Sequence, residues 1–232
     1  MLLFDQSYYI SINEARWQVC EAILKEIQSK QQITLNTCLD VGCGPGWFAD
    51  KLVRLGLKVQ GVDGRDDLIE IARERVSAAN FIQIDVESKT AMSHLPVADL
   101  IFCLGLIYHT ENPFRVIRNL CSLAPKILLI ESIIIPGEQP ITWLVEEGTN
   151  ETQGLTYHAL IPSRNCLVKM LQIAGMSHIY QYTGAIAHED FQETDTKYRR
   201  RELFIAAQIP LNISNCQELP ELKTPKYDFS KG

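Results

Sequence analysis

Short apolar strands alternate with helical segments between residues 37 and 135, and this alternation constrains the fold more than any other feature of the chain. Each strand is a nearly continuous apolar run, which is typical of a parallel strand buried on both faces. The predicted strands cover residues 37–41, 58–63, 81–86, 98–104 and 127–135. The helices between them are predicted at residues 47–55, 66–80 and 112–123. Right-handed βαβ units of this kind build a three-layer α/β sandwich.

Weaker patterns flank this alternating core. Apolar spacing predicts a helix over residues 13–29, within an N-terminal helical cap of residues 1–36. After residue 135 the alternation stops, and residues 136–162 contain several prolines and glycines. We expect this segment to be a long loop or insertion on the substrate side, because loops of such length are usually functional or disordered.

The end of the chain completes the expected sheet. A helix is predicted at residues 163–174, and two strand-like runs follow at 179–183 and 202–208. The segment between these runs is too short for a crossover helix, so we expect an antiparallel C-terminal strand pair at the sheet edge. The sequence therefore predicts one domain over residues 1–210, with a mostly parallel seven-stranded sheet, and a polar surface tail at 211–232.

The composition excludes several classes of protein. The chain has 22 Lys+Arg against 28 Asp+Glu, for a net charge of −6, which indicates no polyanionic partner. Its seven cysteines form no CxxC pair, so we expect neither a disulfide framework nor a metal site. The longest apolar run, residues 127–135, is too short to span a bilayer and is interrupted by Glu131. We expect a soluble, cytoplasmic protein without membrane contact.

The first strand ends in a glycine-rich turn that carries the chemistry. Residues 39–46 read LDVGCGPG, and Gly42, Gly44 and Gly46 allow a tight turn and close approach of a ligand to the backbone. The helix that follows directs its N-terminal N–H groups at the same place. The second strand ends in Asp63, whose carboxylate can accept hydrogen bonds from both hydroxyls of a ribose. Together these features predict a nucleoside site.

The spacing of the glycines discriminates between nucleosides. Dinucleotide sites use GxGxxG, whereas this turn reads GxGxG and has Trp47 at the position of the last glycine. A bulky side chain there would impede the close helix packing that accommodates a pyrophosphate. S-adenosylmethionine (SAM) has no phosphate and tolerates the difference. An NAD-dependent oxidoreductase is therefore disfavoured.

Four segments resemble motifs I to IV of the class I SAM-dependent methyltransferases, which have a Rossmann-like fold. They are LDVGCGPG, GVDGRDDLIEIAR, FIQIDV and ADLIFCLGLIYHTENP, and the match spans residues 37–136. The resemblance implies that the methionine part of SAM faces Asp40 and the glycine turn, and that Asp63 holds the ribose. It further implies contacts near the adenine and the sulfonium from Gly64, Arg65, Asp85, Val86, Leu104 and Gly105.

The run LGLIYHTENPFRVIRNL resembles a narrower branch with a Tyr-His-x-x-x-Pro loop. That branch includes tRNA wobble-uridine carboxymethyl transferases and many methyltransferases of small metabolites. The large N-terminal extension of the tRNA enzymes is absent from this sequence, which favours a small-molecule acceptor over RNA.

Two side chains are candidates for catalysis. His109 follows the fourth strand, where the substrate is expected, and imidazole titrates near the working pH. His109 has two possible roles: a catalytic base, or a structural residue that stabilises the loop by hydrogen bonding. Glu131 interrupts an apolar strand, so it either contacts substrate or is paired in the structure. Tyr108 is expected to be a packing aromatic or a cleft wall, and the basic run at 197–201 is expected to be a solvated edge.

The expected function is methyl transfer from SAM to an oxygen or nitrogen of a small molecule, with S-adenosylhomocysteine (SAH) as product and no metal. Two alternatives stay open: a tRNA-modifying transferase that uses SAM or a SAM derivative, and a non-catalytic SAM-binding module. We expect a monomer or homodimer.

Overall fold

A computed structural model describes residues 2–31 and 33–222 of the chain, in which helices cover both faces of a central sheet. The helices are α1 (Ser7–Lys30), α2 (Trp47–Arg54), α3 (Asp66–Arg75), α4 (Lys89–Met92), α5 (Pro113–Ser122) and α6 (Arg164–Ile173). The strands are β1 (Thr37–Val41), β2 (Lys58–Asp63), β3 (Asn80–Gln83), β4 (Leu100–Leu104), β5 (Ile127–Ile134), β6 (Thr142–Glu146), β7 (His158–Pro162), β8 (His178–Tyr182), β9 (Arg200–Ala207) and β10 (Cys216–Glu218). Short 3₁₀ turns lie at Leu3–Asp5, Ile107–His109 and Glu189–Phe191.

The main sheet has the strand order β10-β8-β9-β5-β4-β1-β2-β3. Strands β1 to β5 are parallel, whereas β9 runs antiparallel to both β5 and β8. The predicted Rossmann-like α/β fold and its antiparallel C-terminal pair are confirmed. From β1 the sheet extends through β2 to β3 on one side, and then through β4 to β5 on the other side of β1. The strand order therefore reverses at β1. Ligands bind at such switch points, beyond the carboxyl ends of the strands.

Burial on both faces explains why the central strands read as continuous apolar runs. In β4, Leu100 and Phe102 pack in one core with residues of α1, α2 and α3, whereas Ile101 and Cys103 pack with residues of α4, α5 and α6 on the other face. Successive strand residues point to opposite faces, so every position needs an apolar side chain. This arrangement holds the carboxyl end of β4 rigidly beside that of β1.

The helix caps follow the residues expected from the sequence. The Asn112 side chain accepts a hydrogen bond from Arg115 N (3.0 Å), and Pro113 occupies the first turn of α5. Ser163 caps α6 in the same way by accepting from Cys166 N (3.2 Å). Gly56 ends α2 with φ +95°, a conformation that side chains strain to adopt. These predicted helix boundaries are confirmed within one residue.

Several segments differ from the prediction. Helix α3 ends at Arg75, five residues before its predicted end, and β3 covers Asn80–Gln83 instead of residues 81–86. The segment 136–162 is not a structureless loop, because β6 and β7 pair within it as an antiparallel hairpin. Helix α1 begins at Ser7, six residues before the predicted start. The tail predicted to lie on the surface adds β10 to the sheet, where it pairs antiparallel with β8, while residues 223–232 lie outside the described residues. None of the helices in the described ranges is both long and apolar enough to cross a membrane.

Candidate active site

A cavity of about 510 Å³ lies at the carboxyl ends of the parallel strands, at the switch point beside β1. The loops after β1, β2 and β4 form its floor, and residues from α1 and from the segment 145–156 cover it. Its size is within the range of about 300–1,000 Å³ that is usual for small-molecule sites. The cavity brings together most of the residues that the sequence indicated.

The glycine turn is tied directly to the neighbouring strand. The backbone N–H groups of Gly42 and Cys43 donate to the Val62 carbonyl at 2.8 and 3.0 Å. Gly42 and Gly44 have φ values of +72° and +51°, and both line the cavity. Gly46 has φ +88° and precedes α2, but it is not among the residues lining the cavity. The first two glycines form the wall, and the third shapes the start of the helix.

Asp63 joins the glycine turn to the end of β2. Its carboxylate accepts hydrogen bonds from Gly44 N and Arg65 N, each at 2.9 Å. Burial raises the pKa of Asp63, and these two hydrogen bonds oppose that shift. The side chain lines the cavity, and carboxylate oxygens have lone pairs beyond those already used. Asp63 can therefore accept hydrogen bonds from a diol placed against the turn.

Asp40 lies beneath the turn rather than in the cavity. The residue is 2% exposed, is not among the cavity-lining residues, and its Oδ2 has no hydrogen-bond partner in residues 2–31 and 33–222. Burial and the nearby charge of Asp63 raise the pKa of Asp40 to about 8, although a hydrogen bond from the backbone of Ala49 lowers it. Asp40 was expected to face the methionine part of SAM, but its side chain does not line the cavity.

The walls beyond β3 and β4 agree with the expected positions. Asp85, Val86 and Leu104 all line the cavity. Asp85 is exposed, follows the end of β3 by two residues, and accepts a hydrogen bond from Glu87 N at 2.9 Å. Val86 and Leu104 are buried and provide apolar surface. This side of the cavity combines an exposed carboxylate with apolar walls.

Residues 147–157, which we call the lid loop, close over the adjoining part of the cavity. Arg65 holds this loop through its backbone: Nη2 donates to the carbonyls of Asn150, Gln153 and Gly154 at 3.4, 3.0 and 3.1 Å. Gly64 and Arg65 were expected beside an adenine, and both line the cavity. A Cβ on Gly64 would lie 2.5 Å from the side chain of Leu155, so the loop packs directly on this glycine.

His109 also lines the cavity and has a carboxylate partner from the lid loop. Its Nδ1 is hydrogen-bonded to Glu147 Oε1, and the two side chains are 12% and 7% exposed. Sequence reasoning selected His109 but missed Glu147. The two residues are 38 positions apart, and no local pattern links them.

Glu131 is not positioned to contact a ligand. It is completely buried, is absent from the residues lining the cavity, and pairs with Arg16 and Arg201 at 3.0 and 3.1 Å. Its predicted catalytic role is therefore corrected to an electrostatic one, because it neutralises two arginines that do line the cavity. Of the two possibilities for Glu131, contact with substrate or pairing within the structure, the structure shows the pairing.

The basic run at 197–201 is not uniformly a solvated edge. Arg201 is buried, lines the cavity, and donates to the Tyr108 hydroxyl at 2.8 Å and to Asp190 at 3.2 Å. Tyr8 also reaches Asp190, at 2.6 Å, and forms part of the cavity wall. Tyr108 is a buried wall residue, as expected. Arg201 lies in β9, which places its side chain in the cavity wall. Its burial was not predicted because its sequence neighbours are also charged.

No group of three or more His, Cys, Asp or Glu side chains within the described ranges is arranged to hold a metal ion. The cavity wall combines a backbone turn, carboxylates, one histidine and two buried arginines, Arg16 and Arg201.

The part of this site that lies between β1 and α5 matches a known protein family. Residues 38–124, which span β1 to the end of α5, match the family described as "Methyltransferase domain". These residues contain the glycine turn, Asp63, Asp85 and His109. This match supports assignment of the segment to the class I SAM-dependent methyltransferase family.

Curated relatives of this chain include a tRNA carboxymethyltransferase and an O-methyltransferase. A tRNA U34 carboxymethyltransferase of Actinobacillus succinogenes is 26% identical over 193 residues, which cover 79% of this chain and 56% of the relative. A ubiquinone biosynthesis O-methyltransferase of Coxiella burnetii is 35% identical over 100 residues, covering 40% of this chain and 42% of the relative. The chain therefore spans about half the length of the curated relatives it matches.

Solved structures share the fold of this chain. The N-terminal domain of EvdMO1, crystallised in the presence of SAH and D-fucose, has a TM-score of 0.66 at 18% identity and covers 88% of this chain and 84% of its own. The magnesium protoporphyrin IX methyltransferase of Synechocystis PCC 6803, with bound SAH, has a TM-score of 0.59 at 17% identity, and the match covers 88% of each chain. At this identity the likeness establishes the fold.

Proposed function

We propose that this chain transfers the methyl group of SAM to an oxygen or nitrogen nucleophile of a small molecule and releases SAH. One observation carries the proposal: a single cavity joins the glycine turn and Asp63 to a histidine with a buried carboxylate partner. The first pair suits a nucleoside, and the second suits removal of a proton from an acceptor.

The residues of the cavity fit SAM. Asp63 offers carboxylate lone pairs for the ribose diol, and Gly42 and Gly44 leave the backbone open to close approach. Val86 and Leu155 line the cavity and provide apolar surface for a flat base. The turn has no lysine or arginine aimed at a phosphate, which agrees with a ligand that has none. The adenosyl moiety is thus held by one carboxylate, backbone and apolar contacts.

The protein contributes to the reaction by positioning the reactants and by excluding water from the cavity. SAM contributes a sulfonium-activated methyl group, so the protein must align the nucleophile with that methyl, and alignment provides much of the rate. The lid loop and the N-terminal residues cover the cavity: the Phe4 ring lies 3.5 Å from where a Cβ on Gly44 would be. Within the covered cavity, we assign His109 as the base that accepts the proton of the nucleophile.

Calorimetric titration with SAH and SAM, with NAD as a control ligand, tests the cofactor. We expect both adenosyl ligands to bind and NAD not to bind; an absence of SAM and SAH binding at roughly millimolar ligand would refute the proposal. Asp63→Ala should weaken SAH binding about 100-fold, because two hydrogen bonds to a charged group at about 1.5 kcal/mol each are lost. The exposed Asp67, which is not part of the cavity wall, provides the matched control as Asp67→Ala.

The acceptor class is tested by label transfer. The protein is incubated with methyl-labelled SAM and either a low-molecular-weight cell extract or total tRNA. Label in the extract supports the proposed acceptor class, whereas label in tRNA alone refutes it. Binding of SAM without transfer to either would identify a non-catalytic SAM-binding module.

One observation favours a second candidate, transfer of a carboxymethyl group from a SAM derivative to tRNA. Arg16 and Arg201 are buried and line the cavity, and buried arginines can pair with a carboxylate of a ligand. One curated relative is named a tRNA U34 carboxymethyltransferase. Titration with a carboxylated SAM derivative discriminates the two: tighter binding than SAM by tenfold or more would favour the second candidate.

A further inference from the structure

Two segments that are distant in sequence bring His109 and Glu147 together in the wall of the cavity. His109 ends the 3₁₀ turn Ile107–His109 after β4, and Glu147 begins the lid loop directly after β6. Both residues line the cavity, and their side chains are almost completely buried. A carboxylate and an imidazole held this way have a defined orientation relative to whatever occupies the cavity.

Both oxygens of Glu147 are engaged. Oε1 is hydrogen-bonded to His109 Nδ1, while Oε2 accepts from Gly154 N at 2.8 Å. The carboxylate therefore cannot turn away from the imidazole without losing its second contact. Burial acts to raise the pKa of Glu147, but the hydrogen bonds with His109 and from Gly154 N act against burial, and the pKa lies below the usual value. An ionised carboxylate can only accept hydrogen bonds.

The protonation of the imidazole follows from this contact. Because Glu147 only accepts, the proton of a neutral His109 must reside on Nδ1, and Nε2 is left without a proton. Nε2 has no hydrogen-bond partner in residues 2–31 and 33–222. The ring therefore presents a free basic nitrogen while its other nitrogen is fixed.

The lid loop is packed closely enough to hold this arrangement. A Cβ on Gly154 would lie 2.2 Å from the His109 carbonyl oxygen, so the loop backbone touches the histidine segment. In β7, which follows the loop directly, Leu160 N donates to the Thr110 carbonyl at 3.2 Å. The same loop thus covers the cavity and delivers the carboxylate.

We infer that Glu147 is a positioning residue that holds His109 in the tautomer with Nδ1 protonated, which restricts productive acceptors to nucleophiles that carry a proton. In the reaction, the acceptor atom forms a bond to the methyl carbon as the carbon–sulfur bond breaks, and that electron pair stays on sulfur. The acceptor proton passes to Nε2 of His109. Glu147 stabilises the resulting imidazolium. This inference rests on the proposed function for its chemistry, but the tautomer can be measured without turnover.

Long-range ¹H–¹⁵N NMR spectra of the full chain at about pH 8 report the tautomer of each neutral histidine. The chain has five histidines, and His109→Gln identifies the signal by its loss. We expect the native protein to show a protonated Nδ1 at His109, and Glu147→Ala to shift His109 to a mixture dominated by protonated Nε2. Glu138→Ala, in the same insertion but exposed and outside the cavity wall, is the control and should retain the native pattern. A native tautomer in Glu147→Ala would overturn the inference.

Label transfer separates positioning from folding. Using the low-molecular-weight extract as acceptor source, we expect Glu147→Ala to lower the initial rate at least tenfold while its SAH affinity remains within about threefold of native. An equal loss in rate and in SAH affinity would indicate that Glu147 only supports the lid loop, and would overturn the inference. If the native chain binds no SAH, the proposed function fails, while the NMR result still decides the role of Glu147.

Discussion

Replacing Asp40 by asparagine should stabilise the fold at neutral and higher pH. The carboxyl is almost completely buried, its Oδ2 has no partner in the described ranges, and its pKa is raised from 3.8 to about 8. Between these two values the folded chain keeps a proton that the unfolded chain has released. Stability is therefore lost as the pH rises through this window. An amide has a similar shape and cannot ionise.

The magnitude follows from the width of the window. The rise in pKa from 3.8 to about 8 corresponds to about 5.5 kcal/mol when the window has been crossed, at roughly 1.4 kcal/mol per pH unit. The neutral carboxyl and the amide leave similar groups without partners, so the two proteins should have similar stability near pH 4. From about pH 5 to about pH 8, the advantage of Asp40→Asn should grow by about 3–4 kcal/mol.

Urea unfolding followed by tryptophan fluorescence measures this difference at each pH. Asp85→Asn is the matched control, because Asp85 is exposed and its hydrogen bond from Glu87 N can be accepted by an amide oxygen. Its stability difference from native should not vary over the same range. If the curves for Asp40→Asn and native protein run parallel from about pH 5 to about pH 8, Asp40 is ionised in the folded chain and the reasoning is wrong.

Three further variants test other parts of the structure. Glu131→Ala leaves the buried Arg16 without a carboxylate and Arg201 with Asp190 alone, so thermal unfolding should show a loss of about 3–5 kcal/mol; a loss below about 1 kcal/mol would contradict the buried pairing. Gly61→Ala places a Cβ 2.5 Å from the Phe81 ring and should cost about 1–3 kcal/mol in urea unfolding. Arg65→Ala removes the hydrogen bonds to the lid loop, so hydrogen exchange should accelerate within residues 147–157 and not in β1; unchanged exchange would show that other contacts hold the loop.

The central fold could be predicted because its signals are local. Strands buried on both faces are mostly apolar, so β1, β2, β4 and β5 could be recognised in the sequence almost with their final bounds. The turn at Gly42 and Gly44 and the acid at Asp63 lie at the ends of these strands, so that parallel pairing alone brings them together.

The remaining parts depend on long-range contacts. Strand β6 is mostly exposed, and therefore shows no alternation of apolar and polar residues that would predict a hairpin. Strand β10 has three residues and is defined by its pairing with β8. Glu131 and Arg201 are 70 residues apart, and their pairing depends on the antiparallel register of β5 and β9. Single-sequence patterns contain no information on such pairs.

The way in which Arg65 holds the lid loop has a consequence for sequence variation. Its guanidinium binds the carbonyl oxygens of three loop residues and none of their side chains. Carbonyl oxygens are common to all amino acids, so substitutions at Asn150 or Gln153 would leave these hydrogen bonds available. Gly154 is different, because a side chain there would collide with the His109 carbonyl. Homologous chains can therefore vary at the tip of this loop without losing these hydrogen bonds, whereas the glycine and the arginine are constrained.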